Sequence, residues 1–83
     1  MSIALSAGGT IVLEGECLND EAEVLLQLLL STPEAVVDWR LCTALHSAVI
    51  QVLLVAAPPM LGPPAGAALK RWVEPVIAAA RGK

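Results

Sequence analysis

Residues 35–57, AVVDWRLCTALHSAVIQVLLVAA, decide the fold, because two different apolar patterns follow one another there. Ala35–Trp39 is a short apolar run with one acid near its end. This pattern is typical of a strand buried on both faces, and we expect the strand over Ala35–Asp38. Leu45–Ala57 is apolar on nearly every side, which predicts a helix that is largely buried or lies at an interface. A strand that leads into such a helix indicates an α/β domain.

Upstream of this stretch, two short segments predict a β-hairpin. Ile3–Leu5 has an alternating pattern, and Thr10–Leu13 is rich in β-branched residues. The sequence SAGG at positions 6–9 is a turn signal between them. The two segments are therefore expected to pair as strands of one sheet.

A first helix is expected over Asp20–Ser31. Asp20 is a good N-cap residue, and Glu23 follows it three positions later, as in a capping box. Apolar residues then recur at helical spacing, at positions 22, 25, 26 and 29. Pro33 ends the helix, because proline cannot donate the hydrogen bond that would continue it.

The C-terminal third is expected to hold a stiff loop and a last helix. Residues 58–66 contain four of the six prolines and give no convincing signal for a fourth strand. A helix is expected over Ala65–Ala80, with a kink or a restart near Pro75, whose ring would clash with the carbonyl of Arg71. Residues 1–83 are thus predicted to form one mixed α/β domain of order β-β-α-β-α-α. Its mixed sheet would have three or four strands packed against helices.

The composition disfavours nucleic-acid binding and points to self-association. The net charge is −3, and the five basic residues form no long stripe, whereas a nucleic-acid surface needs clustered cations. Hydrophobic residues make up 57% of the chain, yet Phe and Tyr are missing. So much aliphatic surface on a short chain predicts a homodimer or a sticky monomer, with an exposed apolar patch on the second or last helix.

No segment is expected to cross a membrane. The richest apolar stretch, residues 48–61, is shorter than the roughly 20 residues that a spanning helix needs, and it contains Gln51 and two prolines. The N-terminal sequence MSIALSAGG lacks the basic region and apolar run of a signal peptide. These features predict a cytoplasmic protein.

Familiar catalytic and metal-binding patterns are missing from the sequence. There is no GxGxxG, Walker loop, HExxH or GxSxG motif. The one histidine, His46, directly precedes Ser47, and adjacent helical residues point about 100° apart, which is poor geometry for a catalytic pair. Cys17 and Cys42 stand alone and are interpreted as buried, reduced thiols. We therefore expect neither an enzyme nor a bound metal or cofactor.

The segment 38–54, DWRLCTALHSAVIQVLL, resembles the STAS family of anti-sigma-factor antagonists. In that family a strand ends in an acid, a loop with a small hydroxyl residue follows, and a regulated serine opens an apolar helix. Asp38 takes the place of the acid, Thr43 that of the loop hydroxyl and Ser47 that of the phosphoacceptor serine. Upstream, Gly15-Glu16-Cys17-Leu18 is similar to the family's Gly-Glu-Leu-Asp segment. The resemblance covers roughly residues 3–57.

The sequence departs from the family pattern in three places. His46 replaces the acid before the phosphoacceptor, and Val49 replaces a small residue two positions after it. The segment 58–66 gives no convincing signal for the family's fourth strand.

The resemblance implies a non-enzymatic regulatory module of bacterial signalling that binds a protein partner. The partner would be an anti-sigma factor or a switch kinase, and the working surface would be the start of the second helix. Ser47 is the phosphoacceptor candidate, although an ordinary role as a helix-start residue is also open. The candidate partner-binding residues are Asp38, Thr43, His46, Ser47 and Gln51.

The alternative is a constitutive structural or dimerisation subunit, of the transporter-associated STAS type, in which Ser47 is never phosphorylated. The two tryptophans, Trp39 and Trp72, could serve either as core residues or as interface anchors; core packing is favoured because no other aromatic residues are present.

Overall fold

Two long neighbouring strands form the centre of the sheet in the computed structural model, which describes residues 2–81. Within those residues the sheet has four strands in the order β1-β2-β3-β4; β1 pairs antiparallel with β2, and the other pairs are parallel. This confirms the mixed α/β fold and the β-β-α-β-α-α arrangement. The strands are β1 (Ile3–Leu5), β2 (Thr10–Cys17), β3 (Val36–Leu45) and β4 (Met60–Leu61), and the helices are α1 (Glu21–Ser31), α2 (Ser47–Ala56) and α3 (Glu74–Arg81).

The two central strands are longer than predicted. β2 continues four residues past Leu13, and β3 continues seven residues past Asp38. The sheet register explains why the apolar pattern of β3 breaks. Val12 pairs with Asp38 but Glu14 pairs with Leu41, and a second shift follows between Gly15 and Glu16. Each shift is a β-bulge that adds one residue to β3 and resets the alternation of its side chains.

The core lies on one face of the sheet only. Ile11, Leu13, Val37 and Trp39 are buried on that face. The helices cover it with the buried side chains Leu25, Val49, Leu53, Leu69 and Ile77. On the opposite face Val12, Val36 and Asp38 are only partly buried, and Glu14 is exposed. The prediction that β3 is buried on both faces is therefore wrong, because the helices all pack on the same side of the sheet.

Helix α1 begins at Glu21, one residue later than predicted, and Glu21 rather than Glu23 stabilises its start. Asp20 occupies the N-cap position, but its side chain makes no capping hydrogen bond. The Glu21 carboxylate instead accepts hydrogen bonds from the backbone N–H groups of Leu18, at 3.1 Å, and Ser2, at 3.0 Å. The Leu18 hydrogen bond, aided by Ser2, holds the pKa of Glu21 below its usual value. The predicted Asp20–Glu23 capping box is thus replaced by a contact that also fastens β1.

Residues 58–66 do contain a fourth strand, which the sequence did not reveal. Met60–Leu61 pairs in parallel with Val37 and Asp38, and the Val37 N–H donates to the Pro59 carbonyl at 2.8 Å. The strand is only two residues long and lies at the edge of the sheet, where proline neighbours are tolerated.

The last helix is interrupted before Pro75, as predicted. A five-residue π-helical turn, Leu69–Val73, precedes α3, and the Glu74 N–H donates to the Leu69 carbonyl five residues back. Pro75 has no N–H to donate to the preceding turn, and the wider π-helical turn accommodates this proline. The helical residues begin at Ala67, two residues later than expected.

Gly66 fastens this C-terminal segment to the end of β3. Its N–H donates to the Cys42 carbonyl at 3.0 Å, and a Cβ at Gly66 would overlap the Thr43 carbonyl oxygen. Only glycine permits so close an approach of two backbones. The start of the last helical segment therefore packs against the bulged end of β3, which leads into α2.

Candidate interaction surface

His46 is the N-cap of helix α2. Its backbone is extended, with φ −67° and ψ 149°, and its Nδ1 accepts a hydrogen bond from the Ala48 N–H at 3.1 Å. Its own N–H donates to the Cys17 carbonyl at 2.9 Å. No sequence pattern marks this residue as a cap, because His is not among the common N-cap residues. Through these two bonds His46 joins the end of β2 to the start of α2.

Three of the predicted site residues lie together at this helix start. Ser47 is the first residue of α2 and is exposed, as is His46 before it. Gln51 is exposed as well, and it lies one turn after Ser47 on the same side of the helix. Thr43 is exposed at the second bulge of β3, three residues before the cap. The predicted surface at the start of the second helix therefore has accessible side chains at all four positions.

Asp38 does not belong to this surface. It is the third of the ten residues of β3 and lies on the uncovered face of the sheet, eight residues and roughly 20–25 Å of strand before His46. The expectation that Asp38 ends the strand is therefore wrong, because β3 continues to Leu45. Asp38 instead pairs with Arg40 through contacts of 2.8 and 2.9 Å, and the hydrogen bond from the Arg40 side chain lowers the pKa of Asp38. The Arg40 side chain is largely exposed, so this ion pair contributes little to stability.

An apolar groove opens beside the helix start, between α1 and α2. Its volume is about 210 Å³, and its lining residues are Leu26, Ala48, Gln51, Val52 and Val55. Val55 is 87% exposed, the largest exposed fraction among the exposed large hydrophobic side chains. The sequence indicated only that α2 is apolar all round; the packing of α1 against it determines which side remains open. The expected exposed apolar patch on the second helix is therefore present.

The two tryptophans have different environments. Trp39 is 1% exposed and fills the core under the helices, as favoured from the sequence. Trp72 lies on the π-helical turn and is 66% exposed, so core packing is wrong for this residue. The Arg71 guanidinium lies 5.0 Å from the centroid of its ring, a cation–π distance.

The two cysteines are buried in the core on neighbouring strands, and both are free. A hydrogen bond with Cys42, together with burial, raises the pKa of the Cys17 thiol. A raised pKa keeps this thiol protonated at neutral pH, which makes it a poor nucleophile. Within residues 2–81, no group of three or more His, Cys, Asp or Glu side chains is arranged to hold a metal ion.

A larger groove lies away from α2, between β4 and α3. It measures about 370 Å³, and Trp39, Met60, Glu74 and Arg81 are among the residues that line it. Arg81 is held there by a hydrogen bond from its Nε to the Pro58 carbonyl at 3.1 Å. No sequence motif marked this groove, since it forms where the unpredicted strand β4 meets α3.

Comparison with known proteins does not assign a family. No protein-family model matches the sequence, and no curated protein or solved structure is significantly similar to it. None of the helices within residues 2–81 combines the length and the apolar character needed to cross a membrane. The STAS resemblance therefore stays a prediction that rests on residues 38–54 and on the order of the elements.

Proposed function

We propose that this chain is a non-enzymatic regulatory module that docks a protein partner at the start of α2, with Ser47 as a phosphoacceptor switch. The docking surface comprises Thr43, His46, Ser47 and Gln51 together with the adjoining apolar groove. One observation carries the proposal: an exposed serine is the first residue of a helix whose next turn borders an exposed apolar groove. A charge added at Ser47 would stand at the edge of that groove.

The switch would act on the partner rather than on the fold. A phosphate on Ser47 adds about −1.5 to −2 charge, which a partner covering the groove would have to desolvate. The positive end of the helix dipole favours this charge by about 0.3–1 kcal/mol. Backbone donors add little, because the N–H groups of Ala48, Val49 and Ile50 already donate to His46. Phosphorylation is therefore expected to leave the domain folded while it weakens docking.

The class of partner comes from the STAS resemblance. In that family an anti-sigma factor or a switch kinase docks at the corresponding helix start, inside the bacterial cytoplasm. Support comes from the element order through α2, which agrees with the expected one, and from the exposure of Thr43 and Ser47 at the corresponding positions. Asp38 is removed from the candidate contacts, because it lies on the other side of the sheet from the helices.

The test is a titration of the co-purified partner with variants at Ser47. Ser47→Asp should weaken binding, whereas Ser47→Ala should change the binding free energy by no more than about 0.5–1.5 kcal/mol, the usual net contribution of one hydrogen bond. Ser6→Asp is the matched control, since it adds the same charge at an exposed serine in the β1–β2 turn. Thermal melts of all variants separate binding from unfolding. Equal binding by wild type and Ser47→Asp would reject the switch.

The second candidate is a constitutive structural or dimerisation subunit in which Ser47 is never modified. It is favoured by the exposure of Val55 and Leu26, because a permanent partner would cover both. Under this alternative, Val55→Asp should break the assembly while Ser47→Asp leaves it intact. Size-exclusion chromatography of the two variants with the partner therefore distinguishes the candidates.

A further inference from the structure

The charges of this chain are divided between two regions of opposite sign. Residues 67–83 hold four of the five basic residues and one of the eight acids, so their net charge is 4 − 1 = +3. Residues 1–66 hold one arginine and seven acids, so their net charge is 1 − 7 = −6. The sum is the overall −3. Two molecules of this chain can therefore attract each other through unlike regions, although their net charges repel.

The basic region presents an aromatic anchor. Trp72 is 66% exposed, and Val76, one turn further along, is 52% exposed. Arg71 directly precedes Trp72 and is exposed as well. We call Arg71, Trp72 and Val76 the Trp72 patch. Tryptophan and arginine are the side chains most enriched at the centres of protein interfaces, and here the Arg71 guanidinium already lies 5.0 Å from the indole centroid.

The acidic region presents a groove of complementary character. This α1 groove has a volume of about 400 Å³, and its lining residues are Asp20, Glu23, Val24, Gln27, Leu28 and Ser31. It lies on the side of α1 away from α2. Leu26 lines the groove shared with α2, and residues two positions apart on a helix, such as Val24 and Leu28 relative to Leu26, point about 200° away.

We propose that the α1 groove of one molecule binds the Trp72 patch of a second copy. The indole of Trp72 packs on Val24 and Leu28, and Arg71 pairs with Glu23. The spacing fits: the midpoint between Val24 and Leu28 is three residues, or about 4.5 Å, beyond Glu23 along the helix axis. The distance from the Arg71 guanidinium to the indole centroid is similar, at 5.0 Å.

The contact is heterologous, because groove and patch are different surfaces of the same chain. Each molecule offers both, so association proceeds head to tail and grows with concentration instead of stopping at a symmetric dimer. The Trp72 patch alone would also suit an anionic membrane. The −6 charge of residues 1–66 opposes that occupant and favours a second copy.

The experiment is sedimentation equilibrium of the full chain up to about 1 mM, with reducing agent present. Wild type should associate with rising concentration, and Trp72→Ala should weaken association roughly thirtyfold, as the loss of an aromatic hot spot does. Val55→Ala is the control, because it removes apolar surface from the other groove, on α2. Raising the salt from about 0.05 to about 0.5 M should weaken the wild-type association, since exposed charge pairs are screened.

A charge exchange keeps the test independent of misfolding. Arg71→Glu and Glu23→Lys should each self-associate less than wild type, and an equimolar mixture of the two should associate again, because every groove then meets a patch of opposite charge. A monomeric wild type, a Trp72→Ala variant that associates like wild type, or a mixture without recovery would overturn the proposal. Binding of wild type to vesicles with anionic lipid, without self-association, would assign the patch to a membrane instead. None of these outcomes depends on Ser47 or its partner.

Discussion

At the scale of single residues, two residues each stabilise the start of a helix and join it to a distant part of the chain. The Nδ1 atom of His46 accepts a hydrogen bond from the first turn of α2, and the backbone N–H of His46 donates to the end of β2. The Glu21 carboxylate accepts from Leu18 at the start of α1 and from Ser2 beside β1. The Glu21 side chain therefore contributes both to α1 and to its attachment to the sheet, whereas at His46 the side chain caps α2 and the backbone N–H makes the attachment.

Replacement of the unusual cap should have a measurable cost. His46→Ala removes the acceptor for the Ala48 N–H and should lower the free energy of unfolding by about 1 kcal/mol. His46→Asn should retain most of the stability, since asparagine is among the best N-cap residues. Urea denaturation measures both, and Gln51→Ala, an exposed change on the same helix, is the control. Equal stability of His46→Ala and wild type would show that the hydrogen bond contributes nothing.

Glu21 should make stability depend on pH in the acid range. Its pKa is lowered in the folded state by hydrogen bonds to the carboxylate, chiefly from Leu18. The stabilisation is therefore complete above the unfolded pKa, near 4.3, and is lost as the pH falls through the lower folded value. The stability difference between wild type and Glu21→Gln should be largest near neutral pH and shrink below about pH 4. Glu34→Gln, in the exposed turn after α1, is the matched control for the loss of one carboxylate.

At the scale of elements, local patterns predicted what local forces determine. Helix α1 was predicted to within one residue, because its apolar period and the stop at Pro33 are both local. The interruption of the last helix followed from Pro75 alone. The predicted range of strand β3 is too short, because Asp38 and Arg40 lie on the uncovered face and two bulges reset the alternation of its side chains. Strand β4 was missed, because backbone hydrogen bonding to β3 defines it and no side-chain pattern marks it.

The contact between Gly66 and β3 is a test of how the last helix is attached. Gly66→Ala places a Cβ against the Thr43 carbonyl oxygen, and backbone on both sides leaves no flexible side chain to move aside. We expect a loss of about 1–3 kcal/mol in the free energy of unfolding, as for other overpacked sites. Gly8→Ala is the matched control, since a Cβ there meets nothing within 4 Å. Thermal and urea unfolding measure both variants, and equal stability would mean that the two backbones separate freely.

At the scale of the whole molecule, the helices cover one face of the sheet, and this arrangement selects among the predicted site residues. His46, Ser47 and Gln51 were predicted together and lie together, because they are close in sequence on one helix start. Asp38 was grouped with them on the assumption that the strand ended there, and the longer strand separates it. The α1–α2 groove, the α1 groove and the Trp72 patch could not be predicted from the sequence, because each depends on which helix faces pack inward.

The bulges of β3 also have a consequence for how the chain tolerates substitution. Along β2 the core side chains are two residues apart, at Ile11 and Leu13. Positions that tolerate substitution should therefore alternate with positions that do not. Along β3 the core side chains are Val37, Trp39, Cys42 and Leu45, and their spacing changes from two to three. In a deep mutational scan, the positions of β3 that do not tolerate substitution should therefore be two apart at the start of the strand and three apart after Trp39. Deleting the bulge residue Arg40 should be tolerated better than deleting Val12 of β2. Without Arg40 the pairing becomes regular and the later side chains of β3 keep their faces, whereas the loss of a regularly paired residue turns every later side chain of its strand to the opposite face.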